Sequence, residues 1–392
     1  MKLCFNDLLV GFSDALDYIE KDYFDIEKYH GKRVAYYCLL LGKAYQLSDM
    51  QLSDLMGCAL LHDNGLSTHY LYEDHNECNI KWHCEEGEKN ILYLPFFNNV
   101  HHVILYHHEM ANGQGPFHRK AKYTPLFSQI IHLIDWIDMT YHFQNMSEET
   151  FLKMQKHLNK EKDIMFSNEL IDKFFQTLTY DHIKKAQKDL EGCFYKIRPL
   201  IIKDYQASEL LAICRLFADI IDAKSLTTKT HSIGVAAKAA EMACYYHYDE
   251  ITVLKIFIAG VMHDLGKIAI ERDILEKPTK LNDLEYAHIQ THVYYTYQFL
   301  NEMRLGDIVH WASYHHEKLD GSGYPFGKKA NQLDAIDRLI ACCDIYQALR
   351  EKRLYKDAID HHATISIMRD MVNEGKIDGK IVEDMNILFS RS

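Results

Sequence analysis

Proline and glycine are scarce, 6 and 18 in a chain of 392 residues. So few breakers exclude a fold of many short strands and tight turns, and favour long helices. No apolar run reaches the roughly 18 residues that a bilayer span needs, so no membrane helix is expected. The opening "MKLCFNDLLVGFSDAL" is interrupted by Asp7 and Asp14, which a secretory signal would not carry. The 10 cysteines form no C-x-x-C pair and no regular spacing. That argues against a disulfide framework; Cys342 and Cys343 read as small core residues, and a reducing cytoplasm is the expected location. A basic excess is also missing: the net charge is −12. This excludes a general binder of bulk nucleic acid or of a membrane surface. A small phosphate ligand stays open wherever a metal or a local basic cluster supplies positive charge.

Histidine, by contrast, is abundant: there are 24, many beside acids. Their placement shows a duplication. "HDLGK" at 263 echoes "HDNGL" at 62, and "HHEKLDGSGYP" at 315 echoes "HHEMANGQGPF" at 107. His231 precedes His263 by 32 residues, and His30 precedes His62 by the same 32. "HVYYTYQFL" at 292 parallels "HCEEGEKNIL" at 83, and "IACCDIYQAL" with Asp344 parallels "HLIDWIDMTY" with Asp135. Matching order and nearly matching gaps make this a domain-scale repeat. The units are placed at 1–195 and 205–392. The segment between them has an apolar helical pattern and reads as a packed connecting helix. "GVAAKAAEMACYY" and "ITVLKIFIAGVMHDLGK" carry apolar residues at helical spacing, and no convincing strand pair is visible. The fold class is therefore all-α: two tandem helical bundles joined by a helical connector.

In the second unit the candidate metal ligands are His231, His263, Asp264, His292, His315, His316 and Asp344. Imidazole plus carboxylate suits iron, manganese, nickel or zinc, and the lack of a thiolate set disfavours a structural zinc knot. Adjacent ligands make sense with two cations. Asp264 can bridge both, and His315 and His316, splayed by about 100° on a helix, are expected to reach one each. Two cations about 3.5–4 Å apart would share a hydroxide nucleophile and stabilise an in-line displacement at phosphorus. Lys267, one turn after His263, could neutralise phosphoryl oxygens or help the leaving group. His101, His102, His288 and His310 read as ordinary hydrogen-bonded histidines.

These residues resemble the HD phosphohydrolases, which share a His…His-Asp…Asp framework. The HD-GYP subgroup adds "HHE…DGSGYP", and residues 205–392 are similar to it over nearly their whole length. "DIYQALREKRLYKDAI" fits the subgroup's D-x-x-x-A-L…R-x-Y segment. The resemblance implies an all-α domain holding two or three iron or manganese ions and hydrolysing a cyclic dinucleotide, typically cyclic di-GMP, to the linear dinucleotide or mononucleotides. It carries the seven metal positions over, with Asp264 as the bridge and Lys267 as the catalytic lysine. Arg353 and Lys356 fall where the family contacts substrate phosphates, and Asp320, Gly323 and Tyr324, in the entrance loop, are expected to bind substrate with them. Thr227 stands where some members have a glutamate that supports a third metal, so two ions are expected. Gln347 stands where an aspartate is usual.

The first unit keeps the ligand types in His30, His62, Asp63, His83, His107, His108 and Asp135, a second candidate metal site. It lacks the rest: Leu66 replaces the lysine, Asn112 stands opposite Asp320, "GPF" replaces "GYP", and Gln144 and Ser147 take the places of Arg353 and Lys356. Each missing charge-assisted contact weakens phosphate binding by about 1.5–3 kcal/mol, which favours a metal-bearing or vestigial regulatory half over an active hydrolase of different specificity or a pure scaffold. The expected protein is thus a cytoplasmic phosphodiesterase with its catalytic site in the second unit. Three rivals stand beside it: a hydrolase of another nucleotide such as cyclic GMP-AMP, a non-catalytic dinucleotide sensor, and a non-haem di-iron redox sensor. A homodimer or a signalling partner is left open.

Overall fold

The computed structural model describes residues 1–24, 28–66, 80–223, 231–351 and 358–390. The chain divides into two compact units, Lys2–Tyr205 and Gln206–Ser392, the latter joined by Met1. In the first unit, helices Phe5–Phe24, His30–Ala44, Asp49–Leu60, Ile80–Ile91 and Leu126–Tyr141 come first, and further helices follow. In the second, Ala207–Ala223, His231–Tyr245, Glu250–Met262, His292–Glu302 and Ala335–Arg350 form the corresponding series. The stretch between the units is helical at either end, Leu190–Ile197 and Ala207–Ala223. The first of these stops at Ile197, because the residue ahead of a proline is pushed out of the helical region and Arg198, before Pro199, is extended. There Ile202–Asp204 pairs antiparallel with Lys2–Cys4, a three-residue ribbon that the sequence pattern does not announce because neither strand is long enough to alternate.

Local chemistry sets the helix ends. Ser48 and Gln51 form a reciprocal capping box at the start of Asp49–Leu60. Asp249 accepts from the amides of Ile251 and Thr252 ahead of Glu250–Met262, and Asp334 does the same for Ala335–Arg350. The apolar faces then close the core: Leu39, Leu55, Ile130 and Ile134 in one unit, Ala236, Val261, Leu300 and Ile340 in the other, are fully buried. Each large aliphatic side chain contributes about 1.5–3 kcal/mol of transfer free energy.

Two glycines bring the elements that carry histidines together. A Cβ on Gly260 would lie 2.6 Å from the Cα of Ala236, so helices His231–Tyr245 and Glu250–Met262 approach backbone to backbone. A Cβ on Gly266 would lie 1.9 Å from the carbonyl oxygen of His292. His263 and Asp264 follow the end of the α-helix at Met262, and Leu265–Ala269 is a 3-10 turn. The turn therefore seats directly on the start of helix His292–Glu302. Gly65 repeats the arrangement against the carbonyl of His83. Gly266→Ala must push this turn off its partner. It is expected to lower the stability of the second unit by about 1–3 kcal/mol, measured as a shift in the urea midpoint of the full chain.

Candidate metal centres

The chain folds its histidines at the ends of helices and then fixes each ring through one nitrogen. In the second unit, the Nδ1 of His263 lies 2.8 Å from the carbonyl of Gly260, that of His292 2.6 Å from Ile289, and that of His315 2.7 Å from Ala312. A carbonyl can only accept, so each ring is the Nδ1–H tautomer and turns a bare Nε2 inward. All three Nε2 atoms are buried and have no hydrogen-bond partner. Burying such lone pairs unsatisfied costs about 1–3 kcal/mol each, a cost that a bound cation removes.

The carboxylates face those nitrogens. Asp264 Oδ2 lies 3.2 Å from His263 Nε2, while its Oδ1 lies 3.3 Å from His292 Nε2 and 3.9 Å from His315 Nε2. Asp344 Oδ1 lies 3.1 Å from His231 Nε2 and 3.8 Å from His263 Nε2, and its Oδ2 lies 4.0 Å from His316 Nδ1. The donors gather as two groups, His231, His263 and Asp264 on one side and His292, His315 and His316 on the other. The two oxygens of Asp264 span them. His315 and His316 thus share a group instead of serving one side each. Helix Asp307–Ser313 stops before the pair, so helical splay does not apply to them.

Burial opposes ionisation of Asp264, but His263 and Lys267 hold its carboxyl well below the usual range. Asp344 is depressed likewise, by His231, His263 and His316 acting against burial. Burial, with His316 and His263 nearby, pushes His315 well below the ordinary imidazole range, so it stays neutral and available as a ligand. His231 goes the other way, up to about 9, because Asp344 and Glu351 outweigh its burial. Lys267 Nζ sits at the rim, 2.6 Å from Asp264 Oδ2.

The entrance loop is built on Glu317, to which sequence reasoning gave no role. Its buried carboxylate accepts from the amides of Phe326 and Lys328. Gly323 lies so close beneath that a Cβ would meet the Cα of Glu317 at 2.5 Å. Tyr324 stacks on the ring of His316, centroids 4.8 Å apart. Asp320 is exposed and uses its carboxylate within the turn, accepting from Ser322. Arg353, Lys356 and Thr227 lie outside the described residues. His288 pairs with Glu271 and His310 with Asp337, and neither stands in the two ligand groups. His101 and His102 are exposed.

The first unit repeats the skeleton. Asp63 Oδ2 lies 3.4 Å from His62 Nε2, and its Oδ1 lies 3.3 Å from His83 Nε2 and 3.8 Å from His107 Nε2. Asp135 Oδ1 lies 3.3 Å from His30 Nε2. His108 joins His83 and His107 in the second group, together with Cys84. That thiol has no counterpart in the second unit, where Val293 follows His292. Leu66 is fully buried where Lys267 reaches the rim. Ser147 caps helix Glu148–Lys160.

Helical bundles with a His…His-Asp…Asp core at these positions define HD domains, and two matches to the HD domain family cover residues 28–140 and 215–381. The chain belongs to the HD-domain phosphohydrolases and carries two HD domains in tandem. A 3'3'-cGAMP-specific phosphodiesterase of Vibrio cholerae is 28% identical over 390 residues, covering 94% of this chain and 88% of that one. A second from the same organism is 29% identical over 299 residues, 74% of this chain and 63% of that one. A cyclic di-GMP phosphodiesterase of Pseudomonas aeruginosa is 35% identical, but over 33% of this chain and 32% of that one. The crystal structure of a cyclic GMP-AMP phosphodiesterase from V. cholerae has the same fold, with a TM-score of 0.70 at 22% identity, covering 100% of this chain and 98% of that chain.

Two outcomes follow for the protein stripped of metal. At a hundredfold excess over its Kd, Mn2+ is expected to raise the stability of the second unit by about 2.7 kcal/mol, and Asp264→Ala to abolish the effect. Below pH 6.5 the unfolded chain protonates His315 and the fold does not. Stability should therefore fall on acidification, by about 2 kcal/mol at pH 5 from this group. Chemical denaturation of the chelated protein at pH 7 and pH 5 measures it.

Proposed function

We propose that the second unit is a metal-dependent phosphodiesterase that opens a cyclic dinucleotide, with 3'3'-cGAMP as its substrate. The observation that carries this reading is the carboxylate of Asp264, set between two groups of inward-facing imidazoles with Lys267 at the rim. A pair of divalent cations bound there, iron or manganese by preference, supplies Lewis-acid stabilisation of phosphoryl oxygens and an activated water. His231, His263, Asp264 and Asp344 hold one side, and His292, His315 and His316 the other. Lys267 offers a cation to the phosphate under attack or to the departing ester oxygen, and Asp264 holds its ammonium in place. Tyr324, packed on His316, orients that ring and walls the entrance. Arg353 and Lys356 are assigned to the substrate phosphates from sequence alone.

The mixed dinucleotide displaces cyclic di-GMP as the preferred substrate. The two relatives matched over 94% and 74% of this chain bear the cyclic GMP-AMP name, whereas the cyclic di-GMP enzyme aligns with a third of it. The first unit we assign as a metal-bearing regulatory half, because buried Leu66 leaves it without the rim cation.

The test is hydrolysis by the purified Mn2+-loaded protein of 3'3'-cGAMP and cyclic di-GMP side by side. Turnover of the mixed dinucleotide, lost in the His263→Ala/Asp264→Ala variant, is expected. Equal turnover by that variant would sink the assignment, and preference for cyclic di-GMP would correct the substrate. Lys267→Ala is expected to reduce kcat roughly 10- to 100-fold with metal content unchanged, the loss of one charge-assisted contact. Elemental analysis should find about four ions per chain, falling to about two in Asp63→Ala. A count of two in both would mean that the first centre is empty.

A further inference from the structure

The two units hold the first histidine of their centres by different means. In the first, Asp138, three residues after Asp135, lies 2.7 Å from His30 Nδ1 and is itself gripped by Arg33 at 3.0 Å. Arg33 stands three residues after His30, on the same helix face. In the second unit both partners of that carboxylate pair are gone: Gly234 occupies the arginine's place and Gln347 the aspartate's. Gln347 does not reach His231. It lies across Gly234, where a Cβ would meet its amide nitrogen at 2.3 Å, and donates that nitrogen to Glu351, one helical turn on. Glu351 Oε2 lies 2.9 Å from His231 Nδ1. The side-chain oxygen of Gln347 is buried without a partner, so its donation to Glu351 is what it contributes there.

We infer that Glu351 is the positioning residue of the second centre, the carboxylate that holds His231 with its Nε2 toward Asp344, in place of the aspartate that does this in the first unit. Gly234 and Gln347 are the two changes that make room for it and aim it. A carboxylate on the far nitrogen of a metal-binding imidazole fixes the ring and raises its basicity, and its loss typically weakens metal binding 10- to 100-fold. This inference rests on the metal-centre reading above.

Calorimetric titration of Mn2+ into the full chain tests it, with Asp63→Ala present throughout to silence the first centre. Glu351→Ala is expected to weaken binding about 10- to 100-fold, and Glu351→Gln, which keeps an acceptor without its charge, by less. Adding Gln347→Asp to Glu351→Ala should restore most of the affinity, which a merely structural role for Glu351 would not allow. Glu351→Ala with unchanged affinity, where Asp264→Ala abolishes binding, would overturn this inference alone, and so would a failed rescue. No binding by the parent chain would overturn the metal-centre reading and this inference with it.

Discussion

Everything in the second unit is arranged around the placement of one buried carboxylate. Asp264 is almost fully enclosed; both of its oxygens face imidazole nitrogens, and Oδ2 also accepts from Lys267 at the rim. A charge taken out of water needs compensation close by. Lys267 supplies part of it, and the bare Nε2 atoms of the histidines leave a place for more positive charge. The glycine contacts at Gly260 and Gly266 serve that placement. They let three chain segments meet at van der Waals distance with the aspartate between them.

Backbone carbonyls do the orienting. The Nδ1 of His263, His292, His315 and His62 each meets the carbonyl three residues earlier. A histidine at the end of a helical turn finds this acceptor locally, so the rings are preset without a distant partner. His30 and His231 begin their helices, and their Nδ1 atoms meet carboxylates instead, Asp138 and Glu351. They depend on carboxylates from the helix that carries Asp135 or Asp344, and it is there that the duplicated units diverge.

Duplication has kept one skeleton and changed its surroundings. Glu109 ties its loop as Glu317 does, and Gly115 approaches it as Gly323 approaches Glu317. What differs is charge and polarity near the ligands: Leu66 against Lys267, Cys84 against Val293, Arg33 and Asp138 against Gly234, Gln347 and Glu351. Burial opposes ionisation of Cys84, but His107 and His83 draw it down to about 7, so the first centre holds a soft donor that the second lacks. The same bundle therefore offers two chemically distinct environments.

The sequence by itself determined the helical class and nominated the residues of both candidate centres, because ligand types at matched gaps and helical periodicity are properties of order along the chain. It named Gln347 as a departure but could not say what replaced the missing aspartate. Pairing His231 with Glu351 joins residues 120 apart. Likewise only the tertiary structure decided that His315 and His316 share one group, that Asp320 closes its own turn and that Tyr324 rests on His316. Each depends on where a helix stops and on which side chain a neighbouring backbone leaves room for, and close packing settles that, not spacing in the chain.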